Sequence, residues 1–465
     1  MGTEEKDLVK RIARLMKENK ELSLLNSKLQ KINEELTDKN ESLKERLKEL
    51  KASDTPEVAS RDQTLRFKMA TVLFADIEGF GKLYEETNSH DIIDELDNIF
   101  FEFDQISEKY NIQKIKTIGD TYMSAGGVPV KNITNPIDVV MSALEMRHKL
   151  HEIQENRIQN NKKIWEIKLG MHTGPVTATT MGKKKISYNL KGDTVNIATR
   201  MKATCESDQI NISVMTYEMV REYFVCEYFG KMPVKYKGDV DMYFVKGIRP
   251  ELSENGEGRI PNQAFKTRYL LRQFSDLQEI VLDILEKGLP EYLYYHNVKH
   301  TIDVTSQCEL IGIGEGVNDE EMLLLKTAGL FHDAGHTIGY EEHEFHGTEL
   351  ARKMLPNFNY SQEQIDKICE LIMATKLPPQ PKTKLERIMC DADLDYLGRS
   401  DFIPVSNTLY KELKAQDKIG DINSWNKLQV KFISSHQYFT DTANNLREVN
   451  KQKQIDRIKQ LIDDE

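Results

Sequence analysis

The chain has 465 residues, enough for about two to four domains of ordinary size. Apolar residues make up 39% and charged residues 30%, so the composition supports globular cores and excludes general disorder. The 64 basic and 75 acidic residues give a net charge of −11, which argues against nucleic acid or an anionic membrane surface as a partner.

The sequence also lacks the features of exported and membrane proteins. No apolar run approaches the ~20 residues of a membrane helix, and the first residues lack the apolar core of a signal peptide. The five cysteines are scattered and form no CxxC pair, which is typical of reduced thiols rather than a disulfide framework. We therefore expect a cytoplasmic protein with no membrane span.

Residues 1–55 carry a heptad repeat. Leucine occupies every seventh position from Leu8 to Leu50, and four of the a positions are asparagine (Asn19, Asn26, Asn33 and Asn40). Leucine at d with asparagine at a favours a parallel, in-register coiled-coil dimer. A second apolar seam from Leu22 to Leu36 leaves the register of the middle open. The alternative is a single solvated helix that packs on its own chain.

Two β-rich segments each deliver an aspartate beside a turn. Residues 68–77 include Asp76, and a second strand over residues 112–118 runs into Asp120. Paired carboxylates bind hard divalent cations, which usually serve a phosphate substrate. Taken alone, each aspartate is equally well explained as a turn or helix-cap residue.

Five separated motifs between Met69 and Ile248 resemble the class III nucleotidyl cyclases, the family of adenylyl and guanylyl cyclases. In the family's order they are FADIEGF (74–80), KIKTIGDTYM (114–123), GMHTGPV (170–176), YNLKGDTVNIATRM (188–201), and VKYKG (234–238) with YFV (243–245). The resemblance implies an α+β, ferredoxin-like cyclase domain over residues 66–250. It also implies conversion of a nucleoside triphosphate to a cyclic nucleotide and pyrophosphate.

The resemblance assigns a role to individual residues of this domain. Asp76 and Asp120, with the carbonyl of Ile77, would bind two Mg²⁺ or Mn²⁺ ions. Arg200 would stabilise the charge that develops around the α-phosphate, and Asn196 would orient the ribose. These are the expected metal-binding and catalytic residues.

Three further residues would bind the substrate. Lys235 would hold the terminal phosphates as a point charge. Lys116 matches the adenylyl pattern at the base, because its ammonium donates to the ring nitrogens of adenine. Asn189 departs from both the adenylyl and the guanylyl pattern, and its amide both donates and accepts. ATP is the expected substrate, with GTP or a pyrimidine triphosphate as the alternative.

The resemblance also implies a homodimer. In this family the metal carboxylates of one site and its base and transition-state residues come from different subunits. One chain holds both sets here, so a head-to-tail pair would build two equivalent sites. The predicted parallel coiled coil is an independent reason to expect the dimer.

The last part of the chain is rich in histidine. The polar composition of residues 251–266 predicts a linker, after which the apolar periodicity predicts helices, the last over residues 425–452. Six of the eleven histidines lie within 51 positions: His296, His300, His332, His336, His343 and His346. Single histidines are mostly structural, but such a cluster beside carboxylates indicates metal ligation.

The order His300, His332-Asp333, Asp393 resembles the HD superfamily of metal-dependent phosphohydrolases. The motif YHNVKHT (295–301) also resembles the first motif of cyclic-nucleotide phosphodiesterases. The resemblance implies an all-α HD domain over residues 267–465, with a divalent transition metal bound by those four residues.

Several assignments within the HD region remain open. Asp391 competes with Asp393 as the last ligand. His343 or His346 would complete a second metal site, and His296 would protonate the leaving oxygen. A degenerate HD fold without activity is the alternative for the whole region, and its substrate is not indicated.

Together these patterns predict an adenylate cyclase whose HD domain hydrolyses a phosphorylated compound or regulates output. A phosphohydrolase regulated by a nucleotide-binding, cyclase-like domain is the main alternative, and a scaffold without catalysis is the third. The presence of Asp76, Asp120, Asn196 and Arg200 favours the cyclase, because a mere sensor has no need of transition-state residues.

Overall fold

The computed structural model describes residues 64–78, 89–159, 164–181, 187–234 and 238–462. The predicted coiled coil of residues 1–55 and the predicted phosphate ligand Lys235 lie outside the described residues. The chain from Thr64 onward forms one unit that contains both a sheet region and a helical region.

The first region is a mixed sheet with helices on both faces. Its strands are β1 (Thr64–Glu78), β2 (Gln113–Ile118), β3 (Thr121–Gly126), β4 (Glu166–Met181), β5 (Ser187–Lys191), β6 (Gln209–Ser213), β7 (Phe224–Val234) and β8 (Gly238–Ile248). The strand order is β2-β3-β1-β4-β6-β8-β7, with β5 paired to β4. Of the strand pairs in the described residues, only β4–β6 is parallel. The helices are α1 (Ser89–Lys109), α2 (Asn135–Gln159), α3 (Asp193–Ala203) and α4 (Val214–Val220).

Alternation along β1 decides which face its aspartate occupies. Leu73, Ala75 and Ile77 belong to the core under α1 and α2. Phe74 lies in the smaller core on the opposite face, which α3 helps to cover. Because successive strand residues point to opposite faces, Asp76 shares the face of Phe74. The carboxylate is therefore directed to the side of the sheet that carries α3.

The second region is entirely helical. Its α-helices are α5 (Gln263–Gly288), α6 (Val298–Gly314), α7 (Asp319–Phe331), α8 (His343–Met354), α9 (Gln362–Ala374), α10 (Lys384–Asp393), α11 (Phe402–Ala415), α12 (Ile422–Ser435), α13 (Asp441–Ala443) and α14 (Val449–Lys459). A short 3₁₀ turn, Ala334–Thr337, follows α7. Among the described residues, no helix combines the length and the apolar character that crossing a bilayer requires.

The segment predicted as a linker is ordered and packed. Leu252 is buried, Ile248 N donates to Gly258 O at 2.8 Å, and Asn262 N donates to Leu252 O at 3.0 Å. The Asn262 side chain then caps α5, which begins at Gln263, within the predicted linker. The polar composition does not indicate this order, because the segment is held together by hydrogen bonds between its own backbone groups and contains few apolar side chains.

Helix α5 contributes to the cores of both regions. Phe265 packs in the core of the sheet region against Tyr223 and Phe224, with ring centroids 5.3 and 6.1 Å away. Phe274 and Leu277, further along the same helix, belong to the core of the helical region. One continuous helix therefore joins the two regions without a flexible connection.

The final predicted helix, residues 425–452, is interrupted in the structure. Helix α12 ends at Ser435, and helical structure resumes only at Asp441. Between them, the carboxylate of Asp391 accepts hydrogen bonds from the backbone N–H groups of Phe439 and Thr440. These N–H groups are bound to a distant side chain, so the local apolar periodicity cannot continue the helix.

The buried carboxyl of Asp138 lies where α2 of the sheet region contacts α5. Asp138 accepts from the Tyr269 hydroxyl at 2.8 Å and from the Thr134 hydroxyl at 3.0 Å. Nearby, Ile133 N donates to Asp276 at 2.9 Å. Burial raises the pKa of Asp138 to about 7, although these hydrogen bonds oppose the rise.

We expect Asp138 to make stability depend on pH. In the folded protein the pKa of Asp138 is about 7, above the ordinary value of ~3.9, so protonation of Asp138 stabilises the fold. This contribution to the free energy of unfolding is fully present below pH ~4 and is lost as the pH rises towards 7. Compared with wild type, Asp138→Asn should therefore raise the melting temperature more at pH 8 than at pH 5. Asp97→Asn, on the exposed side of α1, is the control. A gain for Asp138→Asn that does not change with pH would contradict a buried charge.

Candidate functional site

The two predicted metal carboxylates of the cyclase region lie next to each other. Asp76 of β1 pairs in register with Thr121 of β3, directly after the turn that holds Asp120. Ile77 N donates to Asp120 O at 3.0 Å, which fixes this turn against β1. Burial and the neighbouring charge of Asp76 raise the pKa of Asp120. A carboxylate such as Asp120, whose ionisation is opposed by a neighbouring carboxylate, fits a site for a divalent cation, which would relieve the repulsion.

Asp76 already has partners in the protein. The Thr121 hydroxyl donates to Asp76 Oδ1, and the ammonium of Lys202 lies 3.2 Å from the same oxygen. The two side chains of this ion pair are only 18% and 19% exposed. Lys202, on α3, was not anticipated from the sequence, because no motif distinguishes it from a solvated helix lysine.

The predicted catalytic side chains lie on α3. Asn196 and Arg200 are both exposed, and Arg200 Nη1 donates to Pro233 O at 3.0 Å. The start of the helix is fixed by Thr194, whose hydroxyl donates to Pro175 O at 2.7 Å. The structure therefore presents these two side chains at a surface and keeps their backbone in place.

The remaining predicted residues of the cyclase region occupy separate strands. Lys116 is exposed on β2, and Asn189 is half-buried on β5, opposite Thr179 of β4. The Ile77 side chain is fully buried in the core, so only its backbone is available as a ligand.

In the helical region, four predicted ligands converge. Among them, His300 Nε2 lies 3.2 Å from Asp393 Oδ1 and 3.4 Å from Asp333 Oδ2. His332 Nε2 lies 3.1 Å from Asp333 Oδ2 and 3.4 Å from His300 Nε2. They come from the start of α6, the end of α7 and the end of α10, so the tertiary fold rather than one helix assembles them.

The hydrogen bonding of His332 indicates what the cluster binds. Its Nδ1 is 2.9 Å from Gly329 O, so Nδ1 carries the proton and Nε2 presents a lone pair to the cluster. Asp333 Oδ2 is buried and has no hydrogen-bond partner among the described residues. Burial opposes charge on His332, but Asp333 and Asp393 outweigh it and raise its pKa. A site that attracts a proton so strongly fits a divalent cation that would replace it.

A second group of side chains surrounds the other oxygen of Asp333. His343 Nε2 lies 3.5 Å from Asp333 Oδ1, and His296, Asp333 and His336 together could hold an ion. Within the part of the chain that the structure describes, neither buried ring nitrogen of His336 has a hydrogen-bond partner, and burial lowers the pKa of His336 to about 3. A neutral imidazole in this position fits a metal ion bridged to the first group by Asp333. Sequence reasoning placed His336 in the cluster but gave it no role.

His296 is held by a buried carboxylate from a distant helix. Glu412 of α11 lies 2.5 Å from His296 Nδ1 and accepts from the backbone N of Tyr295 and His296 at 2.9 and 3.1 Å. Burial lowers the pKa of His296, but Asp333 and Glu412 outweigh it and raise the pKa overall. No sequence motif marks Glu412, because it lies more than a hundred residues from its partner.

Asp391 and His346, which the sequence offered as alternative metal ligands, lie outside the cluster. Asp391 is fully buried and accepts from the Phe439 and Thr440 backbone and from the Thr440 hydroxyl, so Asp393 is the aspartate that meets His300 and His332. His346 Nδ1 lies 3.0 Å from Glu349 Oε2 on the outer side of α8. Both residues have hydrogen-bond partners outside the cluster, and the structure brings neither of them to it.

A cavity of about 280 Å³ opens beside His300 and Asp393. Its lining includes Lys299, Arg399 and Tyr396. Arg399 donates to both oxygens of Asp401, at 2.8 and 2.6 Å, so this arginine is held in place. The lining also includes the carboxylates of Asp303, Asp395 and Asp401, so the cavity next to the ligand cluster is polar and carries charges of both signs.

Comparison with known families matches both regions. The profile of the adenylate and guanylate cyclase catalytic domain matches residues 63–247, and that of the HD domain matches residues 297–395.

Among curated proteins, the receptor-type guanylate cyclase gcy-8 of Caenorhabditis elegans is 36% identical over 197 residues, which cover 42% of this chain and 17% of that protein. An adenylate cyclase of Mycobacterium bovis is 31% identical over 194 residues, covering 42% of this chain and 43% of that protein. The chain thus spans less than half the length of these relatives. The solved adenylyl cyclase CyaB of P. aeruginosa is 30% identical, covering 42% of this chain and 100% of that one, with a TM-score of 0.38.

Relatives of both base specificities therefore share the sheet region, and the HD match falls on the region that holds the histidine cluster. The chain therefore contains a catalytic domain of the class III adenylate and guanylate cyclase family, followed by an HD domain.

Proposed function

We propose that the protein is an adenylate cyclase that converts ATP to 3′,5′-cyclic AMP and pyrophosphate at a site shared by two chains. The observation that carries the proposal is the adjacent carboxylate pair of Asp76 and Asp120, fixed by the pairing of β1 with β3. The 3′-oxygen of the ribose would bond to the α-phosphorus while the bond to the pyrophosphate oxygen breaks. Two Mg²⁺ or Mn²⁺ ions bound by these carboxylates would activate the 3′-hydroxyl and neutralise the pyrophosphate.

The other residues act on the substrate directly. The Arg200 guanidinium would stabilise the negative charge around the α-phosphate, and the Asn196 amide would orient the ribose. Both side chains are exposed, and the start of their helix is fixed by the Thr194 hydrogen bond. Exposure is what a residue needs if it is to reach a site on a partner chain. Lys235 would hold the terminal phosphates.

Base choice is the first test of this proposal. With equimolar ATP, GTP, CTP and UTP and Mg²⁺ or Mn²⁺, we expect mainly cyclic AMP, resolved by mass. Lys116→Glu combined with Asn189→Cys should move the products towards cyclic GMP, because guanine presents N1–H and amino donors that need an acceptor. Wild-type protein that makes mostly cyclic GMP would contradict the adenylate assignment, and an unchanged product ratio in the variant would exclude Lys116 as the base-reading residue.

We also propose that the active species is a homodimer, joined in parallel by the coiled coil predicted for residues 1–55. Support comes from the way the predicted site residues are divided within one chain. Asp76 and Asp120 lie at one end of β1 and β3, whereas Lys116, Asn189, Asn196 and Arg200 lie on β2, β5 and α3. In a head-to-tail pair, each chain would contribute one set to each of two sites.

Complementation between variants tests the shared site. Asp76→Asn and Arg200→Ala carry their defects in different halves of each site, so a heterodimer of the two retains one intact site out of two. Purified through two different tags, this heterodimer should show about half of wild-type activity. A dimer of Asp76→Asn purified with the same two tags is the control and should remain inactive. An inactive heterodimer would show that each site is built from a single chain.

For the HD domain we propose a metal-dependent phosphohydrolase. Its support is the pair of ligand groups that share Asp333, beside a polar cavity that opens at His300 and Asp393. Divalent transition metals bound there would supply a hydroxide nucleophile to a phosphate ester or anhydride. His296, held by Glu412, would protonate the leaving oxygen. Assaying the purified full chain with cyclic nucleotides and with nucleotide phosphates tests this activity, and failure to hydrolyse any of them would favour a regulatory HD domain.

A further inference from the structure

Lys202 of α3 has a backbone that the fold holds in place. A Cβ built on Gly170 of β4 would lie 2.0 Å from Lys202 N, so the helix rests directly on the strand backbone. Beside it, Asn211 Nδ2 donates to Met201 O at 2.9 Å. The Lys202 side chain therefore starts from a defined position, and only its own rotations decide where its charge lies.

That charge is directed at the cyclase carboxylates. Lys202 Nζ lies 3.2 Å from Asp76 Oδ1, and the surroundings are largely closed to solvent. Asp76 is thus the carboxylate that Lys202 contacts directly. The pair therefore has an internal positive partner supplied by the chain itself.

A neighbouring lysine provides a comparison. Lys168 of β4 lies 2.6 Å from Glu78 Oε1, two residues beyond Asp76 on β1. Glu78 also accepts from the Ser207 hydroxyl at 3.0 Å. The Lys168–Glu78 pair carries the same charges as the Lys202–Asp76 pair, and Glu78 is near Asp76 in the sequence. Its lysine, however, contacts Glu78 rather than Asp76.

We propose that Lys202 competes with divalent cations for Asp76 and thereby weakens metal binding at the cyclase site. An ammonium and a divalent cation repel each other strongly when both contact one carboxylate oxygen in a partly buried site. Metal binding must therefore be accompanied by rotation of the Lys202 stem, whose four carbons allow it. Lys202 thus makes cyclase activity depend on a higher metal concentration. This inference rests on the proposed metal-binding role of Asp76 and Asp120.

The test is a Mn²⁺ titration of the full chain, followed by the electron paramagnetic resonance signal of free Mn²⁺. The binding that is lost in Asp76→Asn defines the cyclase sites and separates them from Mn²⁺ held by the HD domain. At those sites we expect Lys202→Met to bind Mn²⁺ about tenfold more tightly than wild type. Lys202→Arg, which keeps the charge, should retain the wild-type affinity.

Lys168→Met is the matched control, because it removes a nearby lysine that pairs with Glu78. Its affinity should change by less than about twofold. If Lys202→Met does not fold, as judged by circular dichroism, Lys202→Gln takes its place. An unchanged Mn²⁺ affinity in a folded Lys202 variant, or an equal gain in Lys168→Met, would overturn the inference. If Asp76→Asn loses no Mn²⁺ binding, the proposed metal role of Asp76 fails instead.

Discussion

Asp76→Asn is expected to lose nearly all cyclase turnover while the chain stays folded. Asparagine has the size of aspartate and can still accept the hydrogen bond from Thr121, but it lacks the charge that binds a cation. Without both carboxylates, the 3′-hydroxyl is not activated and the leaving pyrophosphate is not neutralised. We expect kcat to fall by at least ~10³, with the same loss for Asp120→Asn. The measurement is cyclic AMP formed from ATP under saturating Mg²⁺ or Mn²⁺.

Two variants calibrate this result. Arg200→Ala should lower kcat by ~10²–10³ with a small change in KM, because the charge it meets develops mainly in the transition state. Asp97→Asn removes an exposed carboxylate of α1 and should leave turnover unchanged. If Asp76→Asn keeps a tenth or more of wild-type turnover, the carboxylate pair is not the metal site.

Replacing His332 and Asp333 together by alanine should remove the metal that the HD domain retains. His332 supplies a lone pair to the first ligand group, and Asp333 has one oxygen in each group. The double variant therefore empties both positions. Elemental analysis after gel filtration should show bound transition metal in wild type and almost none in the variant.

His346→Ala is the control for that experiment. It also removes a histidine of the same region, but one whose Nδ1 contacts Glu349 rather than the ligand cluster. Its metal content should match wild type. Unchanged metal in the His332 and Asp333 double variant would exclude the cluster, and loss of metal in His346→Ala would show that His346 is a ligand.

The site residues that sequence could reveal are those carried by local motifs. Asp76 and Asp120 lie in β-rich segments beside turns, and His332-Asp333 is a contiguous pair, so residue type and spacing identify them. Asp391 and Asp393 could not be separated in this way, because both lie at the end of one helix. Their difference depends on the backbone of Phe439 and Thr440, which approaches Asp391 from far along the chain.

Residues that act through tertiary contacts left no sequence signal. Glu412 meets His296 across more than a hundred residues, and Lys202 meets Asp76 only because α3 packs closely on Gly170. The start of α5 was missed for a related reason. Its apolar residues near Phe265 pack against the sheet region, so the surrounding polar composition indicated a linker where the structure has a shared helix.

Because α5 packs in both cores, its first turns complete the cyclase domain while the rest of the helix belongs to the helical domain. A truncated protein that stops at Ile248 would lack the Phe265 ring and expose the faces of Tyr223 and Phe224 that it covers. A fragment that begins at residue 267 would lack the start of α5 and its Asn262 cap. Family boundaries drawn from sequence thus cut through a single packed core. The two proposed activities are better separated with point variants in the intact chain than with isolated fragments.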